Sequence, residues 1–110
     1  MDAGRSGRDH PPVTLGGVTL DVSGRRAVAA GREVRLTATQ VALLAHLMGH
    51  PGQVCSRAEL MSEVWGYPVT TRTRTVDVHV AELRSKLGEA LRIRTVRGVG
   101  YGVEVPNPTS

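Results

Sequence analysis

Between Arg74 and Gly88 the chain reads RTVDVHVAELRSKLG, and Val76, Val80, Leu83 and Leu87 fall at i, i+4, i+7 and i+11. That spacing predicts an α-helix with one buried stripe. At about 100° per residue the stripe covers roughly 60° of the cylinder. The opposite face carries Arg74, Val78, Ala81, Glu82 and Ser85, and the flanks carry Thr75, Asp77, His79, Arg84 and Lys86. A helix with so narrow an apolar edge is either an ordinary surface helix or one that presents side chains to a polar partner.

The rest of the chain surrounds this helix with shorter signals. From Val13 to Leu36 the apolar positions alternate, as in Val18, Leu20 and Val22, between turn signals at Gly16-Gly17, Ser23-Gly24 and Gly31-Arg32. Short antiparallel strands are expected near Val13–Leu15, Val18–Val22, Arg26–Ala30 and Glu33–Leu36. Thr37 with Gln40 is a capping-box signature opening a helix through Val41, Leu44, Leu47 and Met48, which Gly49, Pro51 and Gly52 end. Ser56 with Glu59 reads as a second capping box, opening a helix that stops at Gly66. The long third helix is expected to start near Thr71 to Thr73. Beyond Leu91, Ile93 and Thr95 and then Tyr101, Val103 and Val105 flank Arg97-Gly98-Val99-Gly100, a β-hairpin with a glycine-rich, arginine-bearing tip. The order is that of a helix-turn-helix variant followed by a wing.

Composition narrows the classes. The 110 residues suit one domain, and a net charge of +4 leans toward a polyanionic partner. Distribution says more: Arg72, Arg74, Arg84, Lys86, Arg92, Arg94 and Arg97 stand against only Asp77, Glu82 and Glu89 over the same stretch. No Phe and only Trp65, Tyr67 and Tyr101 as aromatics argue against a single-strand binder that stacks bases. The single Cys55 excludes an internal disulfide, and no apolar run is long enough for a membrane span or a secretory signal.

The segments LTATQVALLAHL, SRAELMSEVWG, RTVDVHVAELRSKLG and RTVRGVGYGV, in this order and spacing, resemble the OmpR/PhoB-type winged-helix effector domain of bacterial response regulators. The resemblance covers residues 13–105, with 1–12 read as a disordered tail or linker and 106–110 as a C-terminal tail. It implies an α+β winged helix-turn-helix fold: a small N-terminal antiparallel sheet, three helices and a C-terminal β-hairpin wing. It also implies sequence-specific binding of double-stranded DNA in transcription regulation, within a two-component phosphorelay. The third helix, about 72–88, would lie in the major groove and the wing, about 92–105, in the minor groove. A receiver domain precedes such domains in the family, and a dozen residues are too few to hold one, so a fragment or a stand-alone form is expected. By the same resemblance the domain is cytoplasmic, pairs on direct-repeat DNA while free as a monomer, and touches RNA polymerase through the loop 66–71.

Residue roles follow. Arg97 on its glycine-flanked tip suits an A·T-rich minor groove, where the potential is most negative. Val78, opposite the core stripe, suits a thymine methyl. Asp77 either accepts from a cytosine amino group, orients a neighbouring arginine, or is a first-turn carboxylate favoured by the helix dipole. Arg74, Thr75, His79 and Arg84, with Arg72, suit phosphates, and Thr95 belongs to the DNA-facing set on the wing. Trp65 reads first as a core and loop anchor, although the resemblance lets its indole N–H reach a phosphate. Family members often carry basic residues where Ala81 and Glu82 stand, and Glu82 would repel a phosphate unless it accepts from cytosine. Weaker or altered base readout is therefore expected.

Other classes fit less well. His46, His50 and Cys55 have a spacing that could supply zinc ligands, but two histidines on the polar side of a helix before a Pro-Gly stop are more often incidental, so neither metal nor cofactor is expected. No nucleophile–base pair, paired carboxylate or phosphate loop is present, and no enzyme activity is expected. Two alternatives to a response-regulator domain stand: a winged-helix module for protein contact, marked by Ala81 and Glu82, and the DNA-binding half of a non-two-component pathway activator.

Overall fold

In the computed structural model, which describes residues 12–66 and 74–104, the alternating N-terminal segment forms an antiparallel meander. Strands β1 (Val13–Leu15), β2 (Val18–Asp21), β3 (Arg26–Ala29) and β4 (Arg32–Arg35) pair in sequence order. Val18 and Leu20 on β2 stand opposite Ala29 and Ala27 on β3, and all four are buried. This is the period-2 alternation of a sheet with one face on the core. Helix α1 (Ala38–Met48) starts at a complete capping box: Gln40 N–H donates to Thr37 Oγ1 (3.1 Å), and Thr37 N–H donates to Gln40 Oε1 (3.0 Å). Leu43, Leu44 and Leu47 are almost wholly buried, so α1 is the central packing element.

The second helix departs from expectation twice. Ser56 Oγ caps it by accepting from Glu59 N–H, but Glu59 does not close a second box, because its carboxylate lies 2.9 Å from His46 Nε2. α2 (Arg57–Leu60) then widens into a π turn (Met61–Trp65) ended by Gly66 at φ +77°. Helix α3 (Arg74–Leu87) buries Val76, Val80, Leu83 and Leu87 as its periodicity predicts. The proposed start at 71–73 lies outside the described residues. After a 3₁₀ turn (Gly88–Ala90) come β6 (Ile93–Val96) and β7 (Gly100–Val103).

The wing is more than the expected two-stranded hairpin. A two-residue strand β5 (Cys55–Ser56), between α1 and α2, pairs with β7 and places it centrally in the order β5-β7-β6. All of β7 is therefore buried, glycines included. A Cβ on Gly100 would lie 2.0 Å from the Cys55 carbonyl oxygen, and one on Gly102 would lie 2.3 Å from that of Gln53. These glycines admit the backbone of β5 and of Gln53 just before it, rather than shape the tip. The tip is closed by Val99 N–H donating to Val96 O (2.9 Å) around Gly98 at φ +77°. The opposite end of the fold is tied down by Gly17 N–H, which donates to Ala90 O (2.8 Å) and joins the meander to the segment after α3.

Candidate nucleic-acid interface

The side chains of α3 sort by where their angular position points. The flank at Asp77 and Arg84 faces the wing sheet. Asp77 Oδ1 accepts from Arg57 Nε (2.7 Å) and from the Tyr101 phenol. Arg84 donates from Nε to the Ile93 carbonyl (3.0 Å) and from Nη2 to Thr95 Oγ1 (2.6 Å). The Tyr101 ring has the guanidinium of Arg57 5.2 Å from its centroid and that of Arg84 5.6 Å away, close enough for cation–π attraction. Tyr101 thus fastens the wing to α3 and α2 at once.

Protonation follows from this packing. Burial works to raise the Asp77 pKa, but hydrogen bonds from Tyr101 and Arg57, with the charges of Arg57 and Arg74, leave it below its ordinary value. The same burial, with the Asp77 carboxylate as acceptor, pushes the Tyr101 phenol up. Asp77 is a charged structural node at neutral pH, which corresponds to the arginine-orienting option among the three the sequence leaves open.

The other flank faces the start of α1. Gln40 Nε2 donates to Glu82 Oε1 (2.8 Å), while Gln40 Oε1 accepts from Lys86 Nζ (2.7 Å) as well as from its own cap. Lys86 also donates to the Arg35 carbonyl (3.1 Å). Glu82 is still exposed at its rim, but its carboxylate is held toward a buried glutamine. Further toward the N-terminus, His79 Nδ1 donates to Thr75 O (2.9 Å), and its ring stands edge-on to Trp65 at 5.1 Å. Trp65 is half-buried against the core, as an anchor should be.

What remains outward on α3 is Arg74, Val78, Ala81 and Ser85, all exposed, with Val78 50% exposed. They repeat the i, i+4, i+7, i+11 spacing of the buried stripe on the far side of the cylinder. Ser85 was not singled out from the sequence, although its place on the wheel pointed to it. At the wing tip Arg97 is exposed beside Val99, itself 50% exposed. Among the described residues no ion pair engages Arg97. Arg72 and the loop 67–71 lie outside the described residues.

A three-helix unit with a winged sheet docked on its third helix, and a mixed polar face left outward, defines a winged-helix DNA-binding domain. Residues 31–103 match the family described as the C-terminal domain of transcriptional regulatory proteins. The chain belongs to that family, the OmpR/PhoB-type effector domain. It is 46% identical over 92 residues to the phosphate regulon transcriptional regulatory protein PhoB of Rhizobium meliloti, covering 81% of this chain and 40% of that protein. Among solved structures it is similar to the DNA-binding domain of CpxR from E. coli (TM-score 0.77, 31% identity, covering 89% of this chain and 100% of that one). It is also similar to the Klebsiella pneumoniae RstA DNA-binding domain in complex with the RstA box (TM-score 0.75, 32% identity, 86% and 98% covered). The chain spans less than half the length of the curated relatives it matches. No helix among the described residues is long and apolar enough to cross a membrane.

Proposed function

We propose that this domain reads double-stranded DNA with α3 in the major groove and the wing tip in the minor groove, as the effector of a two-component transcription regulator in the cytoplasm. The observation that carries the reading is the partition of α3. Both flanks are bonded inward, and the exposed remainder is a single line, Arg74, Val78, Ala81 and Ser85, flanked by a wing that ends in Arg97. Val78 and Ala81 offer apolar contact to thymine methyls, and Ser85 and Arg74 offer polar contact to phosphates or base edges. Arg97 enters the minor groove.

The other residues take graded roles. Arg72 and Thr75 add phosphate contacts at the helix start. His79 reaches a phosphate through Nε2 only when the ring is doubly protonated, since Nδ1 is committed to Thr75. Trp65 steadies that ring. Arg84 and Thr95 act on DNA mainly by holding each other, and Asp77 by holding Tyr101 and Arg57. Glu82 is drawn toward Gln40, which supports a place for its carboxylate away from the phosphates it would repel and weighs against the Glu82 half of the protein-contact alternative. A receiver domain in the longer protein, pairing on direct repeats, and RNA polymerase contact through the loop 66–71 complete the proposal. The 13–105 domain bounds, with tails on either side, belong to it as well.

The test is selection of bound duplexes from a random library at near-physiological salt. Two direct repeats one helical turn apart, each beside an A·T-rich segment, support the reading. Affinity should fall with a log–log salt slope set by the number of phosphates neutralised. No binding even at low salt would overturn it and favour the protein-contact alternative.

A further inference from the structure

One cluster lies away from the DNA-facing line and has no part in it. The end of α1, strand β5 and the first turn of α2 bring together His46, Cys55 and Glu59, whose ligand atoms lie within 4.8 Å of one another. His46 Nε2 is 2.9 Å from Glu59 Oε2; Cys55 is buried, the His46 side chain is 16% exposed and that of Glu59 42%. We infer that His46 Nε2, Cys55 Sγ and a Glu59 carboxylate oxygen form a binding site for a zinc-like divalent transition metal, with a water as fourth ligand.

The donor set argues for the metal class. One imidazole, one thiolate and one carboxylate suit zinc, whereas magnesium and calcium favour oxygen alone. Bonds of about 2.0–2.3 Å in a tetrahedron put ligand atoms roughly 3.3–3.8 Å apart. The 2.9 Å pair must open by a few tenths of an ångström, and the wider pairs must close from at most 4.8 Å. Side-chain rotation on α1, β5 and α2 has to supply both changes. The geometry also corrects the trio suggested by spacing. His50 Nδ1 donates to the His46 carbonyl (2.8 Å) and its ring lies 4.6 Å from that of His46, tilted by 38°, so His50 buttresses the site while Glu59 supplies the third ligand. Glu59 is free for this role because it does not close the capping box at Ser56.

Binding breaks the Cys55 S–H bond, forms a sulfur–metal bond and releases the proton to solvent. The metal would join the element that carries the wing pairing to both helices of the bundle base.

The experiment is titration of the reduced chain with cobalt(II) as a spectroscopic stand-in, then competition with zinc. The expected result is one equivalent bound, a thiolate-to-cobalt charge-transfer band in the near-ultraviolet, and displacement by zinc. Cys55→Ser should lose the band. His46→Gln and Glu59→Gln, with retention of the fold checked by circular dichroism, should each weaken binding by about tenfold or more, as loss of a direct ligand must exceed that of an outer partner. His50→Ala should keep the band. No band in the wild-type reduced chain, or a band unchanged in both His46→Gln and Glu59→Gln, would overturn the site, as would loss of the band in His50→Ala.

Discussion

Replacing Gly100 by alanine should separate β5 from the wing sheet. The new Cβ would lie 2.0 Å from the Cys55 carbonyl oxygen and 2.8 Å from both the Cys55 carbonyl carbon and Ser56 Cα. All three are backbone atoms, so no side chain can swing away. Relief requires β5 to retreat by about 1 Å or more, beyond hydrogen-bond reach of β7. Overpacking costs about 1–3 kcal/mol, and each lost buried hydrogen bond adds about 1 kcal/mol. The expected loss is therefore about 2–4 kcal/mol, or a fall in melting temperature on the order of 10–25 °C for a domain of this size. Gly98→Ala is the internal control: its Cβ would meet nothing within 4 Å, and only the left-handed backbone at φ +77° is strained, at about 1 kcal/mol. Urea unfolding followed by Trp65 fluorescence measures both. A Gly100→Ala loss under about 1 kcal/mol, or one no larger than that of Gly98→Ala, would refute the reasoning.

Other substitutions separate binding from folding. Arg97→Ala should weaken DNA binding by about 1–3 kcal/mol with an unchanged melting temperature, read by fluorescence anisotropy on a selected duplex. Val78→Ala should change base preference at one position of each half-site in a repeated selection while leaving stability within about 0.5 kcal/mol. Thr37→Ala should destabilise by about 1 kcal/mol in urea, since it removes the α1 cap. The depressed Asp77 pKa makes its stabilisation fully present above the ordinary carboxylate value and lost as pH falls through the lowered folded value. The stability gap between wild type and Asp77→Asn should therefore shrink on acidification below about pH 4, and a gap constant from pH 7 to pH 2 would contradict the ion-paired node.

Local signals in the chain were sufficient wherever one element decides its own form. The Thr37–Gln40 cap, the β1–β4 meander and the buried stripe of α3 needed only propensity and period. Contacts between distant positions were hidden. The wheel placed Asp77 and Arg84 on one flank of α3, but not that Tyr101 and the Ile93 carbonyl would meet them there. Nor could it show that Gln40, 42 positions from Glu82, would draw that carboxylate aside. Strand β5 is two residues long and has no pattern of its own. Its trace in the sequence is the pair Gly100 and Gly102, two missing side chains on the strand it approaches. Glu59 looked like half of a capping box because spacing cannot tell which of two donors, the Ser56 N–H or His46 Nε2, wins its carboxylate.

Tyr101 and the Cys55–Ser56 pairing tie helix and wing together like the arms of a caliper. On the proposed reading its jaws are the outward line of α3 and the Arg97 tip, set by the protein before any duplex arrives. On that reading the duplex is the partner that yields, and steps that bend easily and tracts whose minor groove is already narrow should fit the gap with least deformation energy. Base pairs touched by neither jaw should therefore still be selected, by stiffness rather than by contact.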